Sequence, residues 1–279
     1  MKITVTKYSG ETAYFSRNSL KQSLLNSGAD PKDAKQICDV IEDRIFDGIT
    51  TKELYETAFE LLKNIKNSVA ARYSLKRALQ QLGPEGFYFE KWITKVFEAQ
   101  GYNAVTGQTL FGKSTVSHEI DVVISDRTTD IVCECKFRND IDTKISVTTP
   151  MYFLSRFNDL KDTEFTFFNR PFKPSKGFLI TNAFFTTDSI AFAEFYGIHL
   201  ISWNYPAEKS IKRLTDAYGL YPITCLTTLT KDEEDILLTK NCILVRELVS
   251  NPVLLDHFKF SEKRKEIILK EATELLENT

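Results

Sequence analysis

Two apolar runs restrict this chain more than any other feature. Ile120-Asp121-Val122-Val123-Ile124 is followed, after the polar link Ser125–Asp130, by Ile131-Val132-Cys133-Glu134-Cys135-Lys136-Phe137. Both runs have the length and β-branched content of buried strands, and the short link predicts that they pair as a hairpin. Side chains alternate across a strand, so Glu134 and Lys136 share one face while Cys133, Cys135 and Phe137 share the other. Asp121, on the preceding strand, can bring a second carboxylate to the same place. An acid inside Ile-Asp-Val-Val-Ile is costly to bury without a partner.

A bare Glu-x-Lys is ordinarily an exposed ion pair on a strand. Here three features point to a site instead: the strands are strongly apolar, Asp121 is embedded in one of them, and Glu90 lies on a preceding amphipathic helix. That helix is expected over residues 87 to 100, with Phe89, Trp92, Ile93, Val96 and Phe97 on one arc and Glu90 at its edge. Two or three converging carboxylates suit a hard divalent cation, Mg2+ or Mn2+, which keeps water and substrate phosphate among its ligands. A lysine beside them can position or deprotonate a nucleophile, and the combination suits phosphodiester hydrolysis.

The net charge of -2 gives no global pull toward a polyanion, so DNA binding would depend on local patches. Three histidines argue against a histidine-based metal site. Five cysteines, an odd number without framework spacing, indicate a reducing, cytoplasmic setting. Cys133 and Cys135 lack partners at zinc-site spacing, and strand parity turns them toward the core. No apolar run has the length of a membrane span and no secretory signal is visible, so no membrane association is expected.

The rest of the chain reads as three modules: 1–84, 85–205 and 206–279. Residues 2 to 8 and 12 to 15 form a hairpin, followed by helices near 17–27, 31–47, 51–65 and 67–82, with a boundary at Gly83-Pro84. In the second module, Lys176–Thr181 and Ile198–Ser202 read as buried strands around a helix at Thr187–Tyr196, which suggests a mixed sheet covered by helices. Beyond Pro206 the pattern is helical.

Glu90, Asp121 and Glu134-Cys135-Lys136 resemble, in order and spacing, the helix acid, strand acid and (D/E)XK element of the PD-(D/E)XK nuclease superfamily. Phe89-Glu90-Lys91-Trp92, Gly101-Tyr102, His118-Glu119-Ile120-Asp121 and Gly177–Thr186 are similar to Mrr-like restriction endonucleases, over about residues 85 to 204. Ile120 stands where the superfamily's name has proline. The resemblance implies Asp121 and Glu134 as metal ligands, Glu90 as an accessory ligand or a helper acting through water, and Lys136 as the catalytic lysine.

The first module resembles the ATP-cone, a nucleotide-sensing domain, through Val5-x-Lys7-x-x-Gly10, Phe15, Asp47–Thr51 and Ala70-Ala71-Arg72-Tyr73. It departs at Tyr8-Ser9, where Arg-Asp is common, and at Ser19, where a lysine is usual; Lys21 is the nearest substitute. The resemblance implies contacts to ATP or dATP from Val5, Lys7, Gly10, Lys21, Thr51 and Arg72, and assembly as a homo-oligomer. The last module is similar to helical-hairpin modules that grip DNA backbone, although their glycines are missing; Lys263-Arg264-Lys265 is its candidate phosphate contact, with partner docking or plain helix packing as alternatives.

The expected architecture is therefore α/β: a mixed-sheet, restriction-endonuclease-like core, preceded by a mostly helical ATP-cone with a β-hairpin and followed by a helical module. The expected function is a metal-dependent DNA endonuclease of restriction or defence type, regulated by adenine nucleotide. The alternatives are a non-cleaving, nucleotide-responsive DNA-binding protein and an RNA- or structure-specific nuclease.

Overall fold

The computed structural model describes residues 3–7, 10–83, 86–126, 128–140 and 142–277. Tyr8, Ser9, Pro84 and Arg127, which figure in the sequence reading, lie outside the described residues. The chain begins with β1 (Thr4–Thr6), β2 (Thr12–Tyr14), α1 (Arg17–Asn26), α2 (Pro31–Glu42), β3 (Ile49–Thr50), α3 (Thr51–Ile65), α4 (Asn67–Tyr73) and α5 (Leu75–Gln80). It continues through α6 (Phe87–Glu98), β4 (Asn103–Phe111), β5 (Ser117–Ser125), β6 (Asp130–Cys135), β7 (Lys144–Ile145) and α7 (Thr148–Leu160). Then come β8 (Phe165–Phe167), β9 (Arg170–Phe172), β10 (Lys176–Ile180), β11 (Phe184–Phe185), α8 (Thr187–Tyr196), β12 (His199–Ile201) and α9 (Ile211–Tyr218). The last helices are α10 (Lys231–Thr239), α11 (Val245–Ser250) and α12 (Glu262–Leu276).

These elements divide into two compact units, Leu79–Leu220 and a unit made of Met1–Ala78 together with Tyr221–Thr279. The packing therefore differs from three consecutive modules, because the first and last segments share one unit. Their joints are specific: Arg72 Nη2 donates to the Leu275 carbonyl at 2.9 Å, Ser68 Oγ to Glu274 at 3.3 Å, and Thr224 Oγ1 to the Ala78 carbonyl at 2.7 Å. Sequence periodicity carries no trace of such pairings, since the partners stand 146 to 206 residues apart.

Within this unit β1 pairs antiparallel with β2 and parallel with β3. The second helix stops at Glu42 rather than 47, because the chain that follows must turn to bring β3 alongside β1; Gly48 N–H donates to the Thr4 carbonyl at 3.0 Å. The helix expected over 67–82 breaks at Ser74, whose Oγ bonds back to the Ala71 carbonyl.

Glu234 on α10 is buried, 6% exposed, and burial pushes its carboxyl up to about 7 against the opposing pull of Lys231. A carboxyl raised above its ordinary 4.5 stabilises the fold below that value and loses this contribution as pH rises through about 7. Glu234→Gln is therefore expected to leave the melting temperature nearly unchanged at pH 4 and to raise stability by about 2 kcal/mol at pH 8. Paired thermal melts at the two pH values check this.

The other unit holds a five-stranded mixed sheet in the order β12-β10-β6-β5-β4. Strands β4, β5 and β6 run antiparallel in sequence, whereas β6, β10 and β12 are parallel. Helix α8 forms the crossover between β10 and β12, as expected for a parallel pair. Adjacent residues of β10 show which helices cover which face. A Cβ on Gly177 would meet Phe153 and Phe157 of α7 at 3.0 and 3.2 Å, while Phe178 meets the Phe97 ring of α6 edge-on. The sheet thus lies between α6 and α7. The expected hairpin of Asp121 and Glu134 is the central β5–β6 pair, with Val122 opposite Cys133 and Val123 opposite Val132.

Candidate active site

One residue beyond the Val122–Cys133 pair, the antiparallel register sets Asp121 opposite Glu134. Asp121 Oδ2 accepts from the Cys135 N–H at 2.6 Å. Glu134, 4% exposed, pairs in register with Leu179 of β10, which places it on the α7 side of the sheet. There both of its oxygens are engaged, Oε1 with the Lys136 ammonium and Oε2 with the Arg156 guanidinium. Arg156, on α7, also donates to the Glu119 carbonyl. Glu119 shares the face of Asp121, two residues away, but is exposed.

The exit of β6 is clamped by the end of β10 and the residues that follow it. Lys136 N–H donates to the Ile180 carbonyl at 2.7 Å, and Thr181 Oγ1 donates to the Lys136 carbonyl at 2.6 Å. Asn182 completes the clamp with two bonds to the Arg138 backbone at 2.7 and 2.8 Å. Thr181 and Asn182 are both buried, so the Leu-Ile-Thr-Asn stretch fixes where Lys136 leaves the sheet. Glu90 stands in the first turns of α6, whose start packs close: a Cβ on Gly86, at φ 82°, would lie 3.1 Å from Phe137.

The electrostatics link the three acids. Burial raises Glu90 to about 7, and the charges of Asp121 and Glu134 add to the effect against Lys136. Burial and then Glu134 raise Asp121 to about 6, opposed by the Cys135 N–H, Lys136 and Arg156. Burial is thus the main burden on Glu90 and Asp121, with the neighbouring acids adding to it. Among the described residues no three His, Cys, Asp or Glu side chains form a ready-made metal cage. Asp121 and Glu134 nevertheless fit a small hard cation, which is commonly held by one or two carboxylates with water and phosphate oxygen in its other positions. Such a cation would favour the ionised form of Asp121 that burial opposes.

Arg156 is the participant that the sequence did not reveal. Its helix begins with Val147-Thr148-Thr149-Pro150, β-branched residues and a proline that hide a helical pattern, though proline is tolerated in a first turn. All five cysteines are free and buried, as strand parity requires of Cys133 and Cys135.

The residues singled out in the first segment are distributed differently. Val5 is buried in β1, and the parallel register Val5–Ile49, Thr6–Thr50 carries Lys7 alongside Thr51 at the start of α3. Lys7 Nζ lies 3.3 Å from Glu11, and Gly10 takes the left-handed φ of 81° that its turn requires. Lys21 is half-buried on α1. Arg72 is committed to the Leu275 carbonyl and the Tyr221 ring. In the Lys263-Arg264-Lys265 run, Arg264 donates to both Glu233 oxygens at 2.8 Å and Lys265 pairs with Asp256 and Glu262. Two of the three charges there serve internal pairs rather than a bare phosphate-binding patch.

Residues 83–204 match the family model described as "Restriction endonuclease", and residues 221–276 match "AF1548-like, C-terminal". An uncharacterised protein of Archaeoglobus fulgidus is 30% identical over 158 residues, which are 57% of this chain and 84% of that one. The chain belongs to the AF1548-like family. The crystal structure of AF1548, a protein of unknown function, matches this AF1548-like chain with a TM-score of 0.55 at 27% identity, covering 69% of this chain and 99% of that one. A structure of VC1899 from Vibrio cholerae matches with a TM-score of 0.30 at 14% identity, over 58% of this chain and 36% of that one. This AF1548-like protein thus carries a restriction-endonuclease domain of the PD-(D/E)XK type, and Asp121, Glu134 and Lys136 lie within it. Among the described residues no helix is long and apolar enough to cross a membrane.

Proposed function

We propose that this protein is a divalent-metal-dependent endonuclease that cuts DNA, of restriction or defence type, and that adenine nucleotide bound to its N-terminal segment regulates it. The reading is carried by the meeting of Asp121, Glu134 and Lys136 at the β5–β6 pair, inside the domain matched to restriction endonucleases. Asp121 and Glu134 would hold Mg2+ or Mn2+, with Glu90 as the accessory acid. A divalent cation there supplies Lewis-acid stabilisation of the charge that builds on the scissile phosphate and makes a water more acidic. Lys136, beside Glu134, would orient the attacking water and add positive charge near the transition state. Arg156 holds Glu134 in place from the opposite side.

The test is cleavage of supercoiled plasmid, duplex and single-stranded DNA and RNA with Mg2+ or Mn2+, with and without ATP or dATP. Metal-dependent cutting of DNA is expected, at a rate that changes with nucleotide. Absence of cutting on every substrate would sink the enzymatic reading, and RNA-only cutting would change the substrate.

The regulatory part resembles an ATP-cone and is supported by a register that runs Lys7 alongside Thr51 at the start of a fifteen-residue helix, with the Lys7 ammonium paired to the exposed Glu11. Helix starts and lysines both favour phosphate groups. Lys7→Ala is expected to weaken ATP or dATP binding roughly tenfold or more, the worth of a charge-assisted hydrogen bond. Calorimetry measures it, and an unchanged affinity would remove Lys7 from the nucleotide site.

A further inference from the structure

A second cleft in the sheet-bearing unit has no part in the chemistry above. It encloses about 470 Å3 on the α6 face of the sheet, along β10 and the edge strand β12 and between the end of α6, Tyr102 and the segment leading into α9. Glu134 and Lys136 lie on the α7 face, so the sheet itself stands between them and this cleft. The volume lies within the usual range for small-molecule sites.

Its walls are aromatic. Phe97 is met edge-on by Tyr102 and by Phe178, each with ring centres 5.8 Å apart and interplanar angles of 85° and 88°. His199 stacks on Phe178 at 4.8 Å and 18°, and its outer face is exposed. Flat rings standing on a common aromatic floor suit a planar heterocycle.

The rim is cationic. Lys176 and Lys209 line the cleft, both exposed, and neither forms an ion pair with an acid among the described residues. Both stand close enough to His199 to add to burial in lowering its proton affinity, so the imidazole is mostly neutral at pH 7. The acid in the lining, Glu194, accepts from the Tyr205 hydroxyl at 2.5 Å. Lys176 and Lys209 outnumber this one carboxylate, and an aromatic slot beside a net positive rim matches a base joined to a phosphate.

We infer that this cleft binds a nucleotide unit, its base against Tyr102 and the Phe178–His199 stack and its phosphate between Lys176 and Lys209. The unit is either a free nucleotide or one residue of a single strand. The site is separate from the N-terminal segment, so it stands whether or not that segment binds ATP.

The full-length chain should be titrated by calorimetry with AMP and with a single-stranded DNA 12-mer. The variants are Lys7→Ala, Lys176→Glu/Lys209→Glu and His199→Ala. Binding of AMP that survives Lys7→Ala, and weakens at least tenfold in the double lysine variant and in His199→Ala, is the expected result for a free nucleotide. A 12-mer that binds where AMP does not, with the same variant response, identifies a strand as the source. Photolabelling by 8-azido-AMP, or by a 12-mer carrying 8-azidoadenine, should mark peptides containing Tyr102 or His199, a readout that needs no variant to fold. Unchanged affinity of both ligands in the double lysine variant, labelling confined to other peptides, or no binding of either ligand at millimolar concentration would overturn the assignment.

Discussion

Asp121→Asn is expected to abolish divalent-cation binding in calorimetry and to lower the cleavage rate about a thousandfold or more, the scale set by losing a metal ligand and its charge stabilisation. The same variant should be more stable than the native chain when metal is absent. Burial and Glu134 hold the Asp121 carboxyl at about 6, above its ordinary 3.8. Its contribution to stability is complete below about pH 3.8 and is lost as pH rises through about 6, where the ionised form becomes a burden on the fold. Asparagine retains an oxygen for the Cys135 N–H and carries no charge. Metal-free melts should therefore favour Asp121→Asn at pH 8 and show no difference near pH 3.5. Millimolar Mg2+ should then raise the melting temperature of the native chain at pH 8 and leave the variant where it was. A variant that still responds to Mg2+ would place the cation elsewhere.

Glu134→Ala should carry the largest stability cost of the site. The carboxylate is 5% exposed and lies between Lys136 and Arg156, and Arg156 is itself only 11% exposed. Removing one partner of a buried pair leaves the other charge uncompensated, a loss of about 3–5 kcal/mol. The low end applies, because Arg156 keeps the Glu119 carbonyl and Lys136 can reach solvent. Urea melts of Glu134→Ala, Arg156→Leu and the double variant measure the coupling, and the double variant should recover stability relative to Glu134→Ala. Additive losses would show that the two side chains do not depend on each other. Cleavage should fall in Glu134→Ala and stay low in the double variant, because restoring packing does not restore a ligand.

The parts of this protein governed by local rules were legible in its sequence. Ile120–Ile124 and Ile131–Phe137 announced paired strands, and their alternation put Glu134 and Lys136 on one face before any coordinates. Helix α8 follows from its Thr186 cap and Gly197 stop, which bound it at Thr187–Tyr196. Arg156 could not be found this way, because its meeting with Glu134 depends on how α7 lies over the sheet, 22 residues further along the chain. Arg72 shows the same limit. In sequence it belongs to a motif with Ala70, Ala71 and Tyr73, while in space it serves a carbonyl 203 residues away. The basic run at 263–265 was misleading for a related reason: Glu233 and Asp256, which occupy two of its charges, come from other turns of the chain.

The pairing of α4 with α12 has a consequence for the order in which the chain can be built. During synthesis Met1–Ala78 leaves the ribosome long before Tyr221–Thr279 exists, yet the two complete one unit. Leu79–Leu220, continuous in sequence, can close its own core as soon as it has emerged, as domains generally do in order of translation. The first segment can gather the core around Leu24, Ile37, Ile41 and Leu62, but Arg72 and Ser68 stay unmatched until the final helix arrives, and such distant contacts form slowly. The joint between the two segments is therefore the last part of this unit to close, made only when the final helix meets a partner synthesised 203 to 206 residues earlier.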